Sequence, residues 1–364
     1  MREEIVKLLT DLIKIKSLDR NPQGLQEIIR YCLNFFEGLP LKIHRYEKSG
    51  KPSLVITFED TKRPKVFFVG HLDVVDAEED QFQPKIEGDR LYGRGALDMK
   101  GPDAVMLLLF RKLAEEGLKP DIGLMLTTDE EVGSDNGVRY LLFEEGWSSD
   151  FALIPDGGEN FKLIIAEKGV LHVKLTARGK AAHGSRVWEG VNALDALINF
   201  YNDFKKEFPQ EPCGDPEHWH NTINLGRFEG GNSVNRVADK GEMHLDIRFV
   251  EPWTSDKMFN HLKEKASTYG IEEVELISRG EVMNTSPDEP HLLKFRKVAS
   301  EVLGRGVELA KEHGATDGRF FAERDIPVAI TYPIGANIHG RNEWVDLNSL
   351  ETLYRIMYTF VREL

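Results

Sequence analysis

Apolar residues recur at helical spacing at the start of the chain and then cluster in short runs between polar segments. In MREEIVKLLTDLIKIKS, the residues Ile5, Leu8, Leu9 and Leu12 share one face, which predicts an amphipathic helix. Helices are also predicted in QEIIRYCLNFFEG, PDAVMLLLFRKLAEEG, GVRYLLFEEG, LLKFRKVASEVLG and SLETLYRIMYTFVREL, and strands in SLVITF, KVFFVG, IGLMLTT, FALIP and VAITYP. This alternation is typical of βαβ units, so we expect an α/β fold whose mostly parallel sheet is covered by helices on both faces.

The pattern changes in the middle of the chain. VLHVKLTARG and EMHLDIRFV alternate apolar and polar residues, as half-buried antiparallel strands do, and VNALDALINFYNDFKKEF between them predicts a helix. Apolar runs of the first kind return from about residue 281. We therefore expect an α/β domain built from residues 1–167 and 281–364, interrupted by an inserted α+β domain at 168–280 with an antiparallel sheet and helices.

Charge and cysteine content exclude several classes of protein. The 364 residues include 61 acidic and 47 basic side chains, for a formal net charge of −14, which argues against a general binder of nucleic acid or of an anionic membrane. The two cysteines, Cys32 and Cys213, form no Cys-x-x-Cys pair, so neither a disulfide framework nor a thiolate zinc site is predicted. The sequence shows no signal-peptide pattern and no membrane-length apolar run, so a cytoplasmic protein is expected.

Four of the predicted strands are followed by histidine or carboxylate residues. These residues are His71 after KVFFVG, Glu130 and Glu131 after IGLMLTT, Asp156 after FALIP, and His339 shortly after VAITYP. Asp98 lies in GRGALDMKG, just before a predicted helix. Open α/β sheets bind ligands at the carboxyl ends of their strands, so we expect all of these side chains to converge at one edge.

Imidazole and carboxylate ligands without thiolate suit Zn²⁺, Co²⁺ or Mn²⁺. Asp73 lies two residues after His71, so in an extended segment both side chains point the same way and the carboxylate can orient the imidazole. Three acidic ligands and two histidines are too many for one tetrahedral ion with an open position. They are typical of two ions that share a bridging carboxylate.

The motifs HLDVVDA, GRGALDMKG, TTDEEVGS, PDGG and IHG resemble those of the di-zinc hydrolases that include acetylornithine deacetylase, succinyl-diaminopimelate desuccinylase, glutamate carboxypeptidase and aminoacylase. The resemblance covers essentially the whole chain, because GKAAHGS and GVNAL in the middle region also look like the family's. It implies that one metal is held by His71, Asp98 and Asp156, and the other by Asp98, Glu131 and His339. It also implies that Asp73 orients His71 and that Glu130 is the general base toward a metal-activated water.

The resemblance further implies that the inserted domain forms a homodimer and that His183 contributes to oxyanion stabilisation from the partner subunit. Asn235 and Arg319 match substrate-binding segments, and an arginine offers a bidentate fork for a carboxylate. By contrast, His218 and His220 lie in a Pro- and Gly-rich loop and are interpreted as solvated loop residues.

These observations lead to the hypothesis of a dinuclear, zinc-dependent amide hydrolase that acts on N-acyl amino acids or short peptides. A carboxypeptidase or dipeptidase of the same family is the nearest alternative. A non-catalytic metal-dependent binding module would be favoured by a missing ligand or base, and neither is missing. A two-metal phosphatase would use similar ligands, but more basic residues would surround its site.

Overall fold

The structure is a computed structural model that describes residues 1–209 and 212–364. The helices of this part of the chain are α1 Arg2–Lys14, α2 Pro22–Phe35, α3 Lys100–Glu115, α4 Val138–Phe143, α5 Ala193–Phe204, α6 Ser255–Ser267, α7 Pro290–Leu303, α8 Gly318–Ala322 and α9 Leu347–Arg362. The predicted helices are all present among them. None of the described helices is both long enough and apolar enough to cross a membrane.

The strands include every one that the sequence predicts, together with several that it does not. They are β1 Lys42–Lys48, β2 Lys51–Thr57, β3 Val66–His71, β4 Lys85–Glu87, β5 Arg90–Tyr92, β6 Ile122–Thr127, β7 Phe151–Ile154, β8 Leu163–Glu167, β9 Gly169–Arg178, β10 Thr222–Gly230, β11 Lys240–Phe249, β12 Glu273–Gly280, β13 Met283–Asn284, β14 Leu309–Glu312, β15 Val328–Ile330, β16 Gly335–Ala336 and β17 Trp344–Asp346.

The chain divides into two compact units. The first comprises Met1–Ala166, Asn284–Glu312 and Thr316–Leu364, and the second comprises Glu167–Met283 and His313–Ala315. The main sheet of the first unit contains β1-β2-β6-β3-β7-β15-β8 in that order. Its four central strands, β6, β3, β7 and β15, are parallel to one another, whereas β1, β2 and β8 pair antiparallel at the flanks. The expected α/β sheet is therefore confirmed, with its parallel part at the centre.

Both faces of this sheet are covered, as β3 shows. All six of its residues are buried, and successive side chains of a strand point to opposite faces. The Phe68 ring lies 6.1 Å from the ring of Phe110 in α3, while the Phe67 ring lies 5.9 Å from that of Trp147, which follows α4. Helices α1, α3, α7 and α9 pack against one another, and α8 contacts β15 and β7.

The second unit contains an antiparallel four-stranded sheet with the order β10-β11-β9-β12. Helices α5 and α6 bury their apolar residues against this sheet, with Leu197, Phe200 and Leu262 in the shared core. This α+β architecture confirms the expectation of a separate antiparallel-sheet domain.

Candidate metal centre

The carboxyl ends of three neighbouring parallel strands supply a group of acidic and imidazole side chains. Strand β3 ends at His71, β6 is followed by a short 3₁₀ turn at Glu130–Val132, and β7 is followed by Asp156. Because β6, β3 and β7 are adjacent and parallel, their ends meet at one edge of the sheet.

Two loops complete the group. Asp98 lies in the loop between β5 and α3, and His339 lies between β16 and β17 with a backbone φ of 59°. His71 and Asp98 are buried, whereas the side chain of His339 is 53% exposed. The site is therefore accessible from solvent on the side of His339.

The structure brings the five predicted ligands into two triads that share Asp98. The triads are His71, Asp98 and Asp156, and Asp98, Glu131 and His339, each with ligand atoms within 4.8 Å of one another. Asp98 Oδ1 lies 3.1 Å from His71 Nε2, and Asp98 Oδ2 lies 3.0 Å from His339 Nε2. The remaining separations are 3.8 Å from His71 Nε2 to Asp156 Oδ2 and 3.2 Å from His339 Nε2 to Glu131 Oε2. A carboxylate whose two oxygens face different histidines has the arrangement of a bridging ligand.

Asp73 connects this group to the turn that carries the two glutamates. The backbone N–H of Glu130 donates to Asp73 Oδ1 at 3.2 Å, and the N–H of Glu131 donates to Asp73 Oδ2 at 3.0 Å. The same carboxylate lies 3.6 Å from His71 Nδ1, which also contacts the Asp73 carbonyl oxygen at 3.1 Å. Asp73 thus lies on the Nδ1 side of His71, where an orienting carboxylate is expected. It also holds the turn that contains Glu130 and Glu131.

A buried carboxylate that the sequence did not reveal shapes the loop around Asp98. Glu343 Oε1 accepts hydrogen bonds from the backbone N–H groups of Leu97 and Asp98, at 2.9 and 3.0 Å. Its Oε2 accepts from the Gly95 N–H at 3.0 Å and forms a 2.6 Å ion pair with Arg94 Nη1. These contacts hold the backbone of Asp98 in place.

Arg94 extends the same support to the second loop. Its Nη2 donates to the carbonyl oxygens of His339 and Gly340, at 3.0 and 3.2 Å. Arg94 lies inside the motif GRGALD, and Glu343 lies four residues after His339. Their positions as charged residues close to predicted ligands were the only signal in the sequence that they support the site.

Tyr332 is a further contact that sequence reasoning missed. Its buried hydroxyl donates a 2.6 Å hydrogen bond to Asp156 Oδ1. The residue belongs to the predicted strand segment VAITYP, in which a tyrosine at the carboxyl end could have signalled a polar contact. Asp156 therefore has one oxygen held by a hydroxyl while the other faces His71.

The pKa values of these side chains reflect the concentration of carboxylates around them. Burial and the nearby Asp98 carboxylate raise the pKa of Asp156 well above its usual range. Hydrogen bonds to Asp98 and Glu131 raise the pKa of His339 to about 10. For His71, burial opposes the charged form, but hydrogen bonds to Asp73 and Asp98 still raise its pKa well above the usual value. Protons on the histidines thus compensate carboxylate charge that cations could compensate instead.

The donor set fits divalent cations. The ligands are imidazole nitrogens and carboxylate oxygens, as in sites for Zn²⁺, Co²⁺ or Mn²⁺. Glu131 Oε1 is buried and has no hydrogen-bond partner among the described residues, whereas Glu131 Oε2 contacts His339. A buried carboxylate oxygen without a partner is costly unless a cation or water satisfies it.

Glu130 lies beside the triads without belonging to either. Burial raises the pKa of its carboxyl to about 8, while the neighbouring His71 opposes the rise. A carboxylate close to a metal site but outside its ligand set can accept a proton from water.

The predicted residues His183 and Asn235 lie next to each other in the second unit. His183 pairs with Arg236 in an isolated β-bridge, and the Gly184 N–H donates to the Asn235 carbonyl oxygen at 2.7 Å. Both side chains are exposed. The Ser185 N–H donates to His183 Nδ1 at 3.2 Å, so the proton of the neutral ring lies on Nε2, which can donate a hydrogen bond.

Arg319 lies in the first unit at the start of α8. Its side chain is mostly buried and donates to two carbonyl oxygens, those of Thr316 and Gly133, each at 3.0 Å. Gly133 ends the turn that carries Glu130, so Arg319 stabilises that turn. Its role as a substrate carboxylate receptor stays a prediction.

Comparison with known proteins identifies related chains. The model of the family described as Peptidase family M20/M25/M40 matches residues 67–363. Succinyl-diaminopimelate desuccinylase of Alkalilimnicola ehrlichii is 27% identical, over 83% of this chain and 84% of that protein. Among solved structures, aminopeptidase PepT from Bacillus cereus matches with a TM-score of 0.81 and 20% identity, over 100% of this chain and 98% of that one. An M20 family metallo-carboxypeptidase from Sulfolobus solfataricus matches with a TM-score of 0.80 and 19% identity, over 98% of both chains.

Proposed function

The chain belongs to peptidase family M20/M25/M40, and from this premise we propose that it is a dinuclear metalloenzyme that hydrolyses N-acyl amino acids or short peptides. Membership of the family makes the chain a metal-dependent hydrolase of peptide or amide bonds. The number of metal ions, their identity and the substrate are the parts that we propose.

The shared position of Asp98 is the observation that carries the dinuclear proposal. Its two oxygens face two different histidines at 3.1 and 3.0 Å, and each histidine belongs to a separate group of three potential ligands. A single ion would use only one of these groups and would leave the other buried carboxylate uncompensated. Two zinc ions fit the set of nitrogen and oxygen ligands, and cobalt or manganese would be accepted by the same donors.

When bound, the two cations would polarise the substrate carbonyl and lower the pKa of water. Glu130 would take a proton from the attacking water and pass it to the leaving nitrogen as the C–N bond breaks. Positive charge nearby would lower the pKa of this carboxyl from about 8, so it would be a base at neutral pH. Asp73 holds the turn of Glu130 through two backbone hydrogen bonds, which keeps the base in position.

We propose that His183 of the partner subunit donates a hydrogen bond to the oxyanion, in a homodimer formed through the second unit. Two observations support this role. The ring is exposed, and its Nδ1 accepts a hydrogen bond, so that Nε2 carries the proton. A preorganised donor to a developing oxyanion contributes most in the transition state.

Whether the protein is a deacylase or a peptidase is tested by measuring amine release from N-acetyl amino acids, N-succinyl amino acids and dipeptides. Each substrate is assayed with the protein as purified, after chelation, and after addition of Zn²⁺, Co²⁺ or Mn²⁺. We expect hydrolysis of one substrate class that is lost on chelation and restored by metal. Hydrolysis of acylated substrates alone would identify a deacylase, and hydrolysis of dipeptides alone would identify a peptidase. A re-metallated protein that releases no amine from any substrate would contradict the proposal.

A further inference from the structure

A second group of metal-ligand side chains lies in the second unit, between α5 and β10. Cys213, His218 and His220 each offer a ligand atom, and these three atoms lie within 4.8 Å of one another. Cys213 Sγ lies 3.3 Å from His218 Nδ1. The three residues fall within eight positions of the sequence, so a single loop segment supplies them all.

The backbone of this loop is held at both histidines by one buried lysine. Lys168 Nζ donates to the carbonyl oxygens of His218 and His220, at 2.9 and 2.8 Å. Only 2% of Lys168 is exposed, so its amino group has little other access to hydrogen-bond acceptors such as water. Because the two carbonyl groups share one donor, the backbone at the two histidines is held to the same amino group.

Asp215 gives the segment between the ligands a defined turn. Its carboxylate accepts hydrogen bonds from the backbone N–H groups of Glu217 and Trp219, at 2.9 and 2.7 Å. The Cys213 thiol contacts the Asp215 carbonyl oxygen at 3.6 Å. The turn at Asp215 therefore lies between Cys213 and the two histidines whose ligand atoms are close to its thiol.

The protonation of His220 suits a metal ligand. Its Nδ1 lies 3.0 Å from the Asn221 carbonyl oxygen, which can only accept a hydrogen bond, so Nδ1 carries the proton. In the neutral ring Nε2 is then the nitrogen that bears no proton. Metal-binding histidines commonly use one ring nitrogen for the metal and donate from the other to a carbonyl oxygen.

We propose that Cys213, His218 and His220 form a binding site for one zinc-like divalent cation, separate in its ligands from the two triads of the first unit. A thiolate and two imidazoles are ligands that Zn²⁺ prefers, and a water molecule would complete a tetrahedral set. The cation would crosslink the loop through coordinate bonds to its three ligands and so stabilise the second unit. Binding would release the thiol proton to solvent, because the thiolate is the ligand.

Cobalt substitution distinguishes this site from the catalytic triads. The triads contain no sulfur, so a thiolate-to-cobalt charge-transfer absorption in the full-length protein would come from a cysteine. We expect this absorption in the wild type and in Cys32→Ala, because Cys32 is fully buried in the core of the first unit. We expect its loss in Cys213→Ser, with one metal ion fewer per chain. Absence of the band in the wild type, or its survival in Cys213→Ser, would overturn the proposal.

Thiol labelling provides a second measurement that does not depend on the folding of Cys213→Ser. In Cys32→Ala, Cys213 is the only cysteine, and its reaction with a thiol reagent should be suppressed by Zn²⁺ and restored by a chelator. A His220→Asn change in this background should raise the zinc concentration needed for protection by more than about tenfold. Mutation of a residue that only hydrogen-bonds to a metal ligand already lowers metal affinity by roughly 10–100-fold, and His220 would be a ligand itself. A matched change outside the loop, His172→Asn, should leave protection unaltered. Equal labelling with and without Zn²⁺ would show that the 3.3 Å contact is a plain hydrogen bond and would refute the site.

Discussion

Arg94 and Glu343 form a buried ion pair, 2.6 Å between Nη1 and Oε2, that ties together the loops of Asp98 and His339. The two side chains are 2% and 0% exposed and lie 249 positions apart in the sequence. The ion pair therefore joins the backbone at Asp98 to the backbone at His339, two predicted ligands, through hydrogen bonds on both sides.

Glu343→Gln tests this connection. The amide would place donor hydrogens against donors of Arg94 or the loop backbone, so we expect metal affinity to fall by roughly 10–100-fold. Leaving Arg94 buried without its partner should also lower the free energy of unfolding by about 3–5 kcal/mol. Metal content after dialysis and denaturant unfolding measure the two effects.

The exposed pair of Arg63 and Asp150 offers a matched control for that experiment. Asp150→Asn should change the free energy of unfolding by less than about 1 kcal/mol and should leave the metal content as it is, because exposed ion pairs contribute little. If Glu343→Gln behaved like this control, the positioning role of Glu343 would be refuted.

The adjacent glutamates are expected to respond differently to the same substitution. Glu130→Gln should lower kcat by about 10²–10⁴-fold and keep both metal ions, because it removes a proton acceptor that is not a ligand. Glu131→Gln should lose the metal held with His339. Kinetics combined with metal analysis of each variant separates the roles, and loss of metal in Glu130→Gln would contradict the assignment.

Metal binding should release protons at neutral pH. His339 has a pKa raised to about 10 by its carboxylate neighbours, so it is protonated at pH 7 in the metal-free protein. A histidine must be neutral to bind metal, so apparent affinity should rise with pH and fall as the pH is lowered. Calorimetry in two buffers with different ionisation enthalpies measures the released protons. A binding heat that is the same in both buffers would disprove the expectation.

His183 permits a complementation test of the proposed dimer. His183→Ala should lower kcat by about 10²–10³-fold without changing the metal content. Co-expression of His183→Ala with Glu130→Gln should restore part of the activity, because a mixed dimer would contain one site with both residues intact. Each variant expressed alone is the control. If the mixture stayed as inactive as the separate variants, a contribution of His183 across subunits would be ruled out.

The sequence predicted most of the central sheet and the residues at its edge, because buried strands leave unbroken apolar runs and their ends are marked by His71, Asp156 and the two glutamates. Strand β10 was not predicted, since most of its side chains are exposed or half-buried and leave a weak alternation. Arg94 and Glu343 could not be paired from one sequence, because nothing local links residues so far apart. The proximity of Cys213 to two histidines was likewise hidden, since it depends on a loop that Asp215 and Lys168 shape.

The carboxylate of Asp73 has a consequence for attempts to redesign this protein. Its oxygens accept hydrogen bonds from the N–H groups of Glu130 and Glu131 and lie against His71, so Asp73 links the end of β3 to the turn after β6. Mutations that reshape the surrounding surface for a new amide can be tolerated only if they leave this junction undisturbed. Laboratory evolution of substrate range should therefore accumulate changes elsewhere and retain Asp73 in every active descendant.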